Sequence, residues 1–142
     1  MEYVTINNEK GNINVSRSAI ETLSQLILLE TKRIIKPKDT TLNQFYKKYY
    51  KKNPDESAGI VQDIKIEIKP KIVIINLFLV INYGIRIPDL TWEIQAKIKE
   101  KFKEITGLEV NIINIHINGI HDTGKFGNKD KLAIPEMFVK IF

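Results

Sequence analysis

Cysteine is absent from this sequence, so disulfide bonds and thiolate chemistry are excluded. Long apolar runs are absent too: the longest covers residues 72–81, interrupted by Asn76, about half of what a membrane-spanning helix needs. The first residues lack the basic-then-apolar pattern of a secretory signal. These absences favour a cytoplasmic protein whose membrane contact, if any, is peripheral or made through a partner.

Acidic residues are scarce in one segment. Residues 31–54 contain a single acid, Asp39, against eight Lys and Arg, which gives +7. The rest of the chain holds fourteen basic and sixteen acidic residues, which gives −2. The excess positive charge is therefore a local feature of one segment and not a general solubility device.

The remaining composition is that of a soluble globular domain: 142 residues, 43% hydrophobic and 27% charged. Ile13 and Val15 alternate with Asn, which predicts a short strand, and Ser16 is placed to cap a following helix. We expect that helix to fade near Ile35, before Pro37. A second helix is predicted from a Thr41/Gln44 capping box.

The second half of the chain predicts two strands, a helix and a strand. Residues 64–68 alternate Ile with charged residues, a turn at Pro70 follows, and residues 72–83 form a strand apolar enough to be central. Pro88 fits the first turn of a helix that Gly107 ends. The buried stripe of that helix is predicted as Leu90, Ile94, Ile98, Phe102 and Ile105.

These patterns predict an α+β fold. We expect a two-layer α/β sandwich with a small mixed β-sheet of three to four strands and helices packed on one face. A β-hairpin is followed by a strand–helix–strand crossover, which is right-handed by the usual rule. The second face of the central strand is also largely apolar, so we expect the basic helix, the tail or another copy of the protein to cover it.

Residues 64–120, together with residues 11–16, closely resemble the alkaline shock protein family of envelope-stress proteins in Gram-positive and related bacteria. The matching motifs follow one another in the family's order. They are Gly11, Ile13, Val15, Ser16, Tyr83-Gly84, Ile87-Pro88, Gln95, Thr106-Gly107-Leu108, Asn114 and Gly119. The resemblance gives Ser16, Gly84, Pro88, Gly107 and Gly119 structural roles.

The resemblance implies a small α/β domain without catalytic residues. It is similar to cytoplasmic scaffolds that assemble beneath the cell membrane, sometimes held there by a membrane-spanning partner. We predict one such domain over residues 1–121, with a basic aromatic insert at 36–58 and a tail at 122–142. The insert and the tail depart from the family pattern, so the resemblance assigns them no role.

Residues 119–126 come close to a phosphate-binding loop. Gly119, Gly124 and Lys125 are present, but Phe126 replaces the hydroxyl that would hold Mg²⁺, and no helix start follows. We interpret this stretch as the glycine-rich exit of a strand. No nucleotide or other cofactor is expected.

Metal and acid–base sites are not predicted either. His116 and His121 are the only histidines; five apart in a continuous strand, they would point to opposite faces. The carboxylates of the 88–106 helix alternate with lysines, as on a solvated helix face. We therefore predict no metal site, no catalytic residue, no enzyme and no small-molecule substrate.

The basic aromatic segment is the main candidate site. Its simplest interpretation is an amphipathic helix that covers the domain while its lysines remain in water. As a binding site, it would meet an anionic lipid surface or an acidic partner. The candidate binding residues are Phe45, Tyr46, Lys47, Lys48, Tyr49, Lys51 and Lys52.

Two functions from different classes remain open. The first is a self-associating scaffold near the inner membrane surface, a homo-oligomer that a membrane-anchored protein or anionic lipid holds in place. The second is a nucleic-acid-binding module in which lysines pair with phosphates and tyrosines stack on bases. The second ranks lower, because the sequence shows neither a Gly-x-x-Gly clamp between helices nor an aromatic motif on its strands.

Overall fold

The computed structural model describes residues 3–52 and 57–122, with the side chains of residues 50–52 outside that description. The chain forms three helices and six strands within these ranges. In order they are β1 (Tyr3–Asn8), β2 (Gly11–Ser16), α1 (Arg17–Leu28), β3 (Ile34–Lys36), α2 (Asn43–Lys52), β4 (Ser57–Lys69), β5 (Ile72–Asn82), α3 (Ile87–Thr106) and β6 (Ile112–His121).

The strands form two sheets. β1 and β2 pair antiparallel as a hairpin, and the main sheet has the order β3-β4-β5-β6. β4 and β5 are antiparallel across the turn at Pro70 and Lys71, while α3 connects β5 to the parallel neighbour β6. The predicted α+β fold, with its mixed sheet, hairpin and crossover, is confirmed.

The core lies on one face of the main sheet. The alternation of β4 and β5 points Ile64, Ile66, Ile75 and Leu77 to this inner face, where all four are buried. Both long helices cover it, because their apolar residues recur at helical spacing. The buried helix residues are Ile20, Ile27 and Leu28 of α1, and Leu90, Ile94, Ile98 and Phe102 of α3.

The start of α1 and both ends of α3 follow the predicted residues. The Ser16 hydroxyl accepts a hydrogen bond from the Ala19 amide at 3.0 Å and caps α1. Pro88 lies in the first turn of α3, where no amide is needed. Gly107 ends α3 with φ 77°, and its amide bonds the Lys103 carbonyl. That left-handed conformation costs any residue with a Cβ about 1–2 kcal/mol.

Three local predictions are wrong. α1 ends at Leu28 instead of near Ile35, because residues 34–36 pair as β3 with distant β4. The cap before α2 is Asp39, whose side chain accepts from the Thr41 amide and starts a short 3-10 helix, so the Thr41/Gln44 box is not used. Ile105 is exposed, since four-residue steps from Phe102 lead to Thr106.

The main sheet has three register irregularities, one of them between Ile34 and Ile35 where β3 pairs with β4. The register of β4 against β5 shifts between Val61 and Asp63, and that of β6 against β5 shifts next to Gly119. Gly59 lies so close to β5 that a Cβ at this position would be 2.2 Å from the Val80 carbonyl oxygen. The chain therefore requires glycine here because of a close backbone approach.

Candidate interaction surface

The basic helix α2 presents a mixed surface. Lys47 and Lys48 are exposed and Phe45 is 40% exposed, whereas Tyr46 and Tyr49 are half-buried. The aromatic residues therefore do not all pack inward, as a purely covering helix would require. Phe45 and the two lysines remain available to a partner.

One contact ties α2 to the sheet. The Lys36 ammonium at the end of β3 lies 5.5 Å from the Tyr46 ring centroid, within range of a cation–π interaction. Of the seven predicted binding residues, the structure thus places Phe45, Tyr46, Lys47, Lys48 and Tyr49 on one short helix. The side chains of Lys51 and Lys52 lie outside the described residues, and the binding role of all seven stays a prediction.

The outer face of the sheet, opposite α1 and α3, carries two stacked rings. Phe78 of β5 and His116 of β6 are register partners, with ring centroids 4.6 Å apart and planes 12° from parallel. The Lys65 ammonium of β4 lies 5.4 Å from the Phe78 centroid. Sequence patterns do not reveal this aromatic pair, because the two residues are far apart in sequence and only the β5–β6 register brings them together.

Amide side chains fill the rest of this face. Asn114 donates to the Asn76 side chain at 2.9 Å, and Asn118 donates to Gln62 at 3.0 Å. The first bond joins the adjacent strands β6 and β5, and the second links β6 to β4 across β5. The outer face of β5 itself keeps the largely apolar pattern that the sequence predicted, and the amide groups lie beside its apolar residues.

The histidines share a face, contrary to the prediction. His116 is opposite Phe78 and His121 is opposite Asn82. These two β5 residues are four positions apart, so their side chains point to the same face of the sheet. The register shift near Gly119 adds one residue to β6, which returns His121 to the outer face. Among residues 3–52 and 57–122, no group of three or more His, Asp or Glu is arranged to hold a metal ion.

One ion pair links the segment before α2 to the sheet. The Lys38 ammonium is 2.9 Å from Asp63 Oδ1 at the irregularity in β4. The hydrogen bond from Lys38 lowers the pKa of the Asp63 carboxyl, and the same bond raises the pKa of Lys38. Gln25 of α1 adds a second link, since its side-chain oxygen accepts from the Lys38 and Asp39 amides.

β6 is an edge of the main sheet without protecting charge. Ile112–His121 contains no Lys, Arg, Asp, Glu or Pro, and among the described residues it pairs with β5 alone. The opposite edge is better covered: β3 pairs with the beginning of β4, and Arg17 donates from its guanidinium to the Ile66 carbonyl. The two edges thus differ in their readiness to accept another strand.

The motif residues occupy the positions that this geometry needs. Gln95 of α3 donates to the Ile113 carbonyl, Thr106 donates to the Phe102 carbonyl, and the Leu108 amide donates back to the Thr106 hydroxyl. Gly84 has φ 94° in the turn before α3, and Gly119 follows the irregularity in β6. Residues 123–126, which a phosphate-binding loop requires, lie outside the described residues, as does the tail to residue 142.

A family model matches residues 5–122, and it describes the alkaline shock protein 23 family, with a cell envelope-related function. The chain belongs to this family. The resemblance seen over residues 11–16 and 64–120 is thus confirmed for the family and its link to the cell envelope. The matched range also includes the basic insert at residues 36–58, which contains none of the family motifs found in the sequence.

Two relatives of this alkaline shock family protein come from Bacillus subtilis (strain 168). The uncharacterized protein YqhY is 22% identical over 110 residues, which cover 78% of this chain and 77% of YqhY. The uncharacterized protein YloU is 29% identical over 49 residues, 34% of this chain and 41% of YloU. No solved structure matches the chain significantly. Within the described residues, no helix has the length and apolarity to cross a membrane.

Proposed function

We propose that this alkaline shock family protein is a non-enzymatic scaffold that serves cell-envelope stress or homeostasis from the cytoplasmic side of the membrane. It self-associates, and a membrane-anchored protein or an anionic lipid surface holds it at the membrane. The family supplies the link to the envelope. Self-association and membrane contact are inferred from two surfaces of the chain.

The β6 edge, which pairs with β5 alone among the described residues and carries no protecting charge, is the observation that carries the proposal. Soluble proteins usually block a long edge strand with lysine, proline or a covering element, because its free backbone groups pair with other strands. β6 has none of these residues along Ile112–His121. Pairing of β6 with a β6 from a second copy satisfies those groups and builds a homo-oligomer.

The basic helix supplies the membrane contact. Each lysine near an anionic bilayer contributes about 1 kcal/mol, so the four lysines of α2 give at most about 4 kcal/mol. Micromolar binding needs about 8 kcal/mol. A single copy therefore binds weakly, and an oligomer that presents several α2 helices reaches useful affinity. Self-association and membrane contact are in this way parts of one function.

The first test is sedimentation of the full chain with and without vesicles that contain phosphatidylserine. We expect wild type to pellet with the vesicles and a Lys47/Lys48/Lys51/Lys52→Gln variant to stay in the supernatant. If wild type does not pellet, direct lipid contact is excluded and a membrane-anchored protein partner is required. Phosphatidylcholine vesicles are the matched control for the lipid charge.

The second test concerns the edge. Asn114→Lys places a charge in the middle of β6, and Asn12→Lys places the same charge on exposed β2. We expect wild type and Asn12→Lys to self-associate in analytical ultracentrifugation and Asn114→Lys to remain monomeric. A wild-type protein that stays monomeric at all concentrations would overturn the scaffold proposal.

A second candidate function is binding of single-stranded nucleic acid. Phe78, His116 and Lys65 on the outer face favour it, because stacked rings beside a cation on a sheet accept bases and phosphates. The test is fluorescence anisotropy with a labelled oligonucleotide and a Phe78→Leu variant. It ranks second because the two rings stack on each other, so a base gains access only to their outer surfaces.

A further inference from the structure

Two adjoining clefts meet at Trp92, on the first turns of α3. One cleft, of about 750 Å³, lies between the loop after α1 and the turn between β5 and α3; the other, of about 420 Å³, lies between α3 and the start of β6. Trp92 lines both, and it is 73% exposed. The two clefts share this one lining residue, and we call the pair of them the Trp92 groove.

The exposed indole has no role in the core. It lies off the buried stripe of α3, so folding does not require an aromatic residue at this position. Trp is the residue type most enriched where proteins bind one another through a few dominant contacts. Ile112, 42% exposed, extends the apolar surface on the β6 side of the groove.

The charges around the groove favour an anionic occupant. Four basic side chains line it, namely Lys32, Arg33, Arg86 and Lys99. Its two acids are already engaged: Asp89 lies 3.0 Å from the Arg86 guanidinium, and Glu93 accepts from the Lys32 amide at 2.7 Å. Within residues 3–52 and 57–122, no ion pair involves the side chain of Lys32, Arg33 or Lys99.

The shape of the groove favours a peptide over a lipid surface. A flat bilayer reaches protruding side chains, whereas the volumes on both sides of Trp92 are clefts between neighbouring elements of the chain. An extended chain fits such a groove, because its side chains alternate between the wall and solvent. Peptide carboxylates can reach the cations at either end.

We propose that the Trp92 groove binds an extended acidic segment of a partner protein. An apolar side chain of the segment packs on Trp92. Its carboxylates pair with Lys32 and Arg33 on one side and with Lys99 on the other. This site is separate from α2 and does not depend on self-association of the chain.

Binding in the groove can be followed by tryptophan fluorescence, because Trp92 is the only tryptophan in the sequence. The probe is a short synthetic peptide of alternating Glu and Leu, and the matched control is the same peptide with Lys in place of Glu. We expect the acidic peptide to shift the tryptophan emission to shorter wavelength with a saturable titration that weakens as salt is added. The basic peptide should leave the emission unchanged.

Variants separate the site from general electrostatics. Arg33→Gln with Lys99→Gln should weaken acidic-peptide binding about tenfold, since surface ion pairs each contribute modestly. Lys47→Gln with Lys48→Gln removes the same charge elsewhere and should leave binding unchanged. Asn114→Lys should also bind normally, which distinguishes failure of this site from failure of the scaffold proposal.

Three outcomes would overturn the proposal. Equal responses to the acidic and basic peptides would mean that the indole binds apolar residues without charge selection. A shift with phosphatidylserine vesicles but not with peptide would assign the groove to lipid. A shift that depends on protein concentration alone would assign it to a second copy of the chain.

Discussion

Gln95 of α3 donates a hydrogen bond from Nε2 to the backbone carbonyl of Ile113 on β6, at 3.0 Å. This bond fixes the height of the crossover helix above the edge strand. Gln95→Met keeps the length of the side chain but removes the donor, and we expect it to lower the free energy of unfolding by about 1 kcal/mol. Urea denaturation measures the change.

Glu100→Met is the matched control for that substitution. Glu100 is exposed on the same helix and takes part in none of the described ion pairs. Its replacement should change stability by less than about 0.5 kcal/mol. Equal effects of the two variants would show that the Gln95 bond does not stabilise the fold.

Gly59→Ala tests the close approach of β4 and β5. The added Cβ would meet the Val80 carbonyl oxygen at 2.2 Å, so the strands must separate. We expect a loss of about 3 kcal/mol, at the upper end for overpacking. Gly107→Ala is the comparison, because its Cβ meets no atom within 4 Å and only its positive φ is strained; about 1–2 kcal/mol is expected. A smaller loss at Gly59 would contradict the packing argument.

The Lys38–Asp63 pair predicts a pH dependence. Because the pKa of Asp63 is lowered in the folded state, the pair stabilises the protein above the unfolded-state pKa, and this contribution is lost as the pH falls through the folded-state pKa. Chemical denaturation at a series of acidic pH values should show a steeper loss of stability for wild type than for Asp63→Asn. If stability falls equally with pH in wild type and in Asp63→Asn, the Lys38–Asp63 pair does not contribute to the pH dependence.

At alkaline pH the contribution of the pair to stability is lost as the pH rises, which is the opposite direction. Lys38 has a raised pKa, so its contribution is present at neutral pH and is lost as the pH rises through that raised value. Lys38→Met should therefore flatten the alkaline fall in stability. Both effects are small, since the two side chains are nearly half exposed.

Phe102→Ala tests which residues of α3 form the core. Phe102 is fully buried, and its truncation should cost about 3–5 kcal/mol because of lost burial and the remaining cavity. Ile105→Ala, at a 56% exposed position, should cost less than about 1 kcal/mol. Thermal unfolding followed by circular dichroism compares them; similar losses would mean that the stripe extends to the end of the helix.

Sequence patterns predicted the parts of the fold that depend on nearby residues. The Ser16 cap, the turn at Pro70, the start of α3 at Pro88 and its end at Gly107 all act through local backbone geometry. Helical and alternating periodicity then placed the core on one face of β5. Local chemistry and periodicity thus sufficed for the hairpin and the crossover.

The missed features depend on distant partners. β3 is three residues long and exists only because β4 pairs with it, so its Ile34-Ile35 looked like the end of a helix. Gly59 lies outside the strand predicted at residues 64–68, although it belongs to β4 and marks a close strand contact. The shared face of His116 and His121 depends on one irregularity in β6 that no periodicity predicts.

The candidate sites were harder to predict than the fold. Charge asymmetry pointed to α2, and its exposed Lys47 and Lys48 agree with that signal. The sequence contains a weaker signal for the Trp92 groove, which is a single tryptophan that lies off the apolar stripe of its helix. Its cations come from the loop after α1, the turn before α3 and α3 itself, so only the folded chain assembles them.

The β4–β5 hairpin has a kinetic consequence. Its strands are joined by a two-residue turn and paired along most of their length, so it closes the shortest loop in the main sheet. β6 is separated from β5 by α3, and β3 is separated from β4 by α2, so these pairings close longer loops. We therefore expect the sheet to fold from its centre outward, and the amides of β6 and β3 to exchange with solvent before those of β4 and β5. Both candidate surfaces border these late strands, so a partner that binds there slows the opening of the edges without rearranging the core.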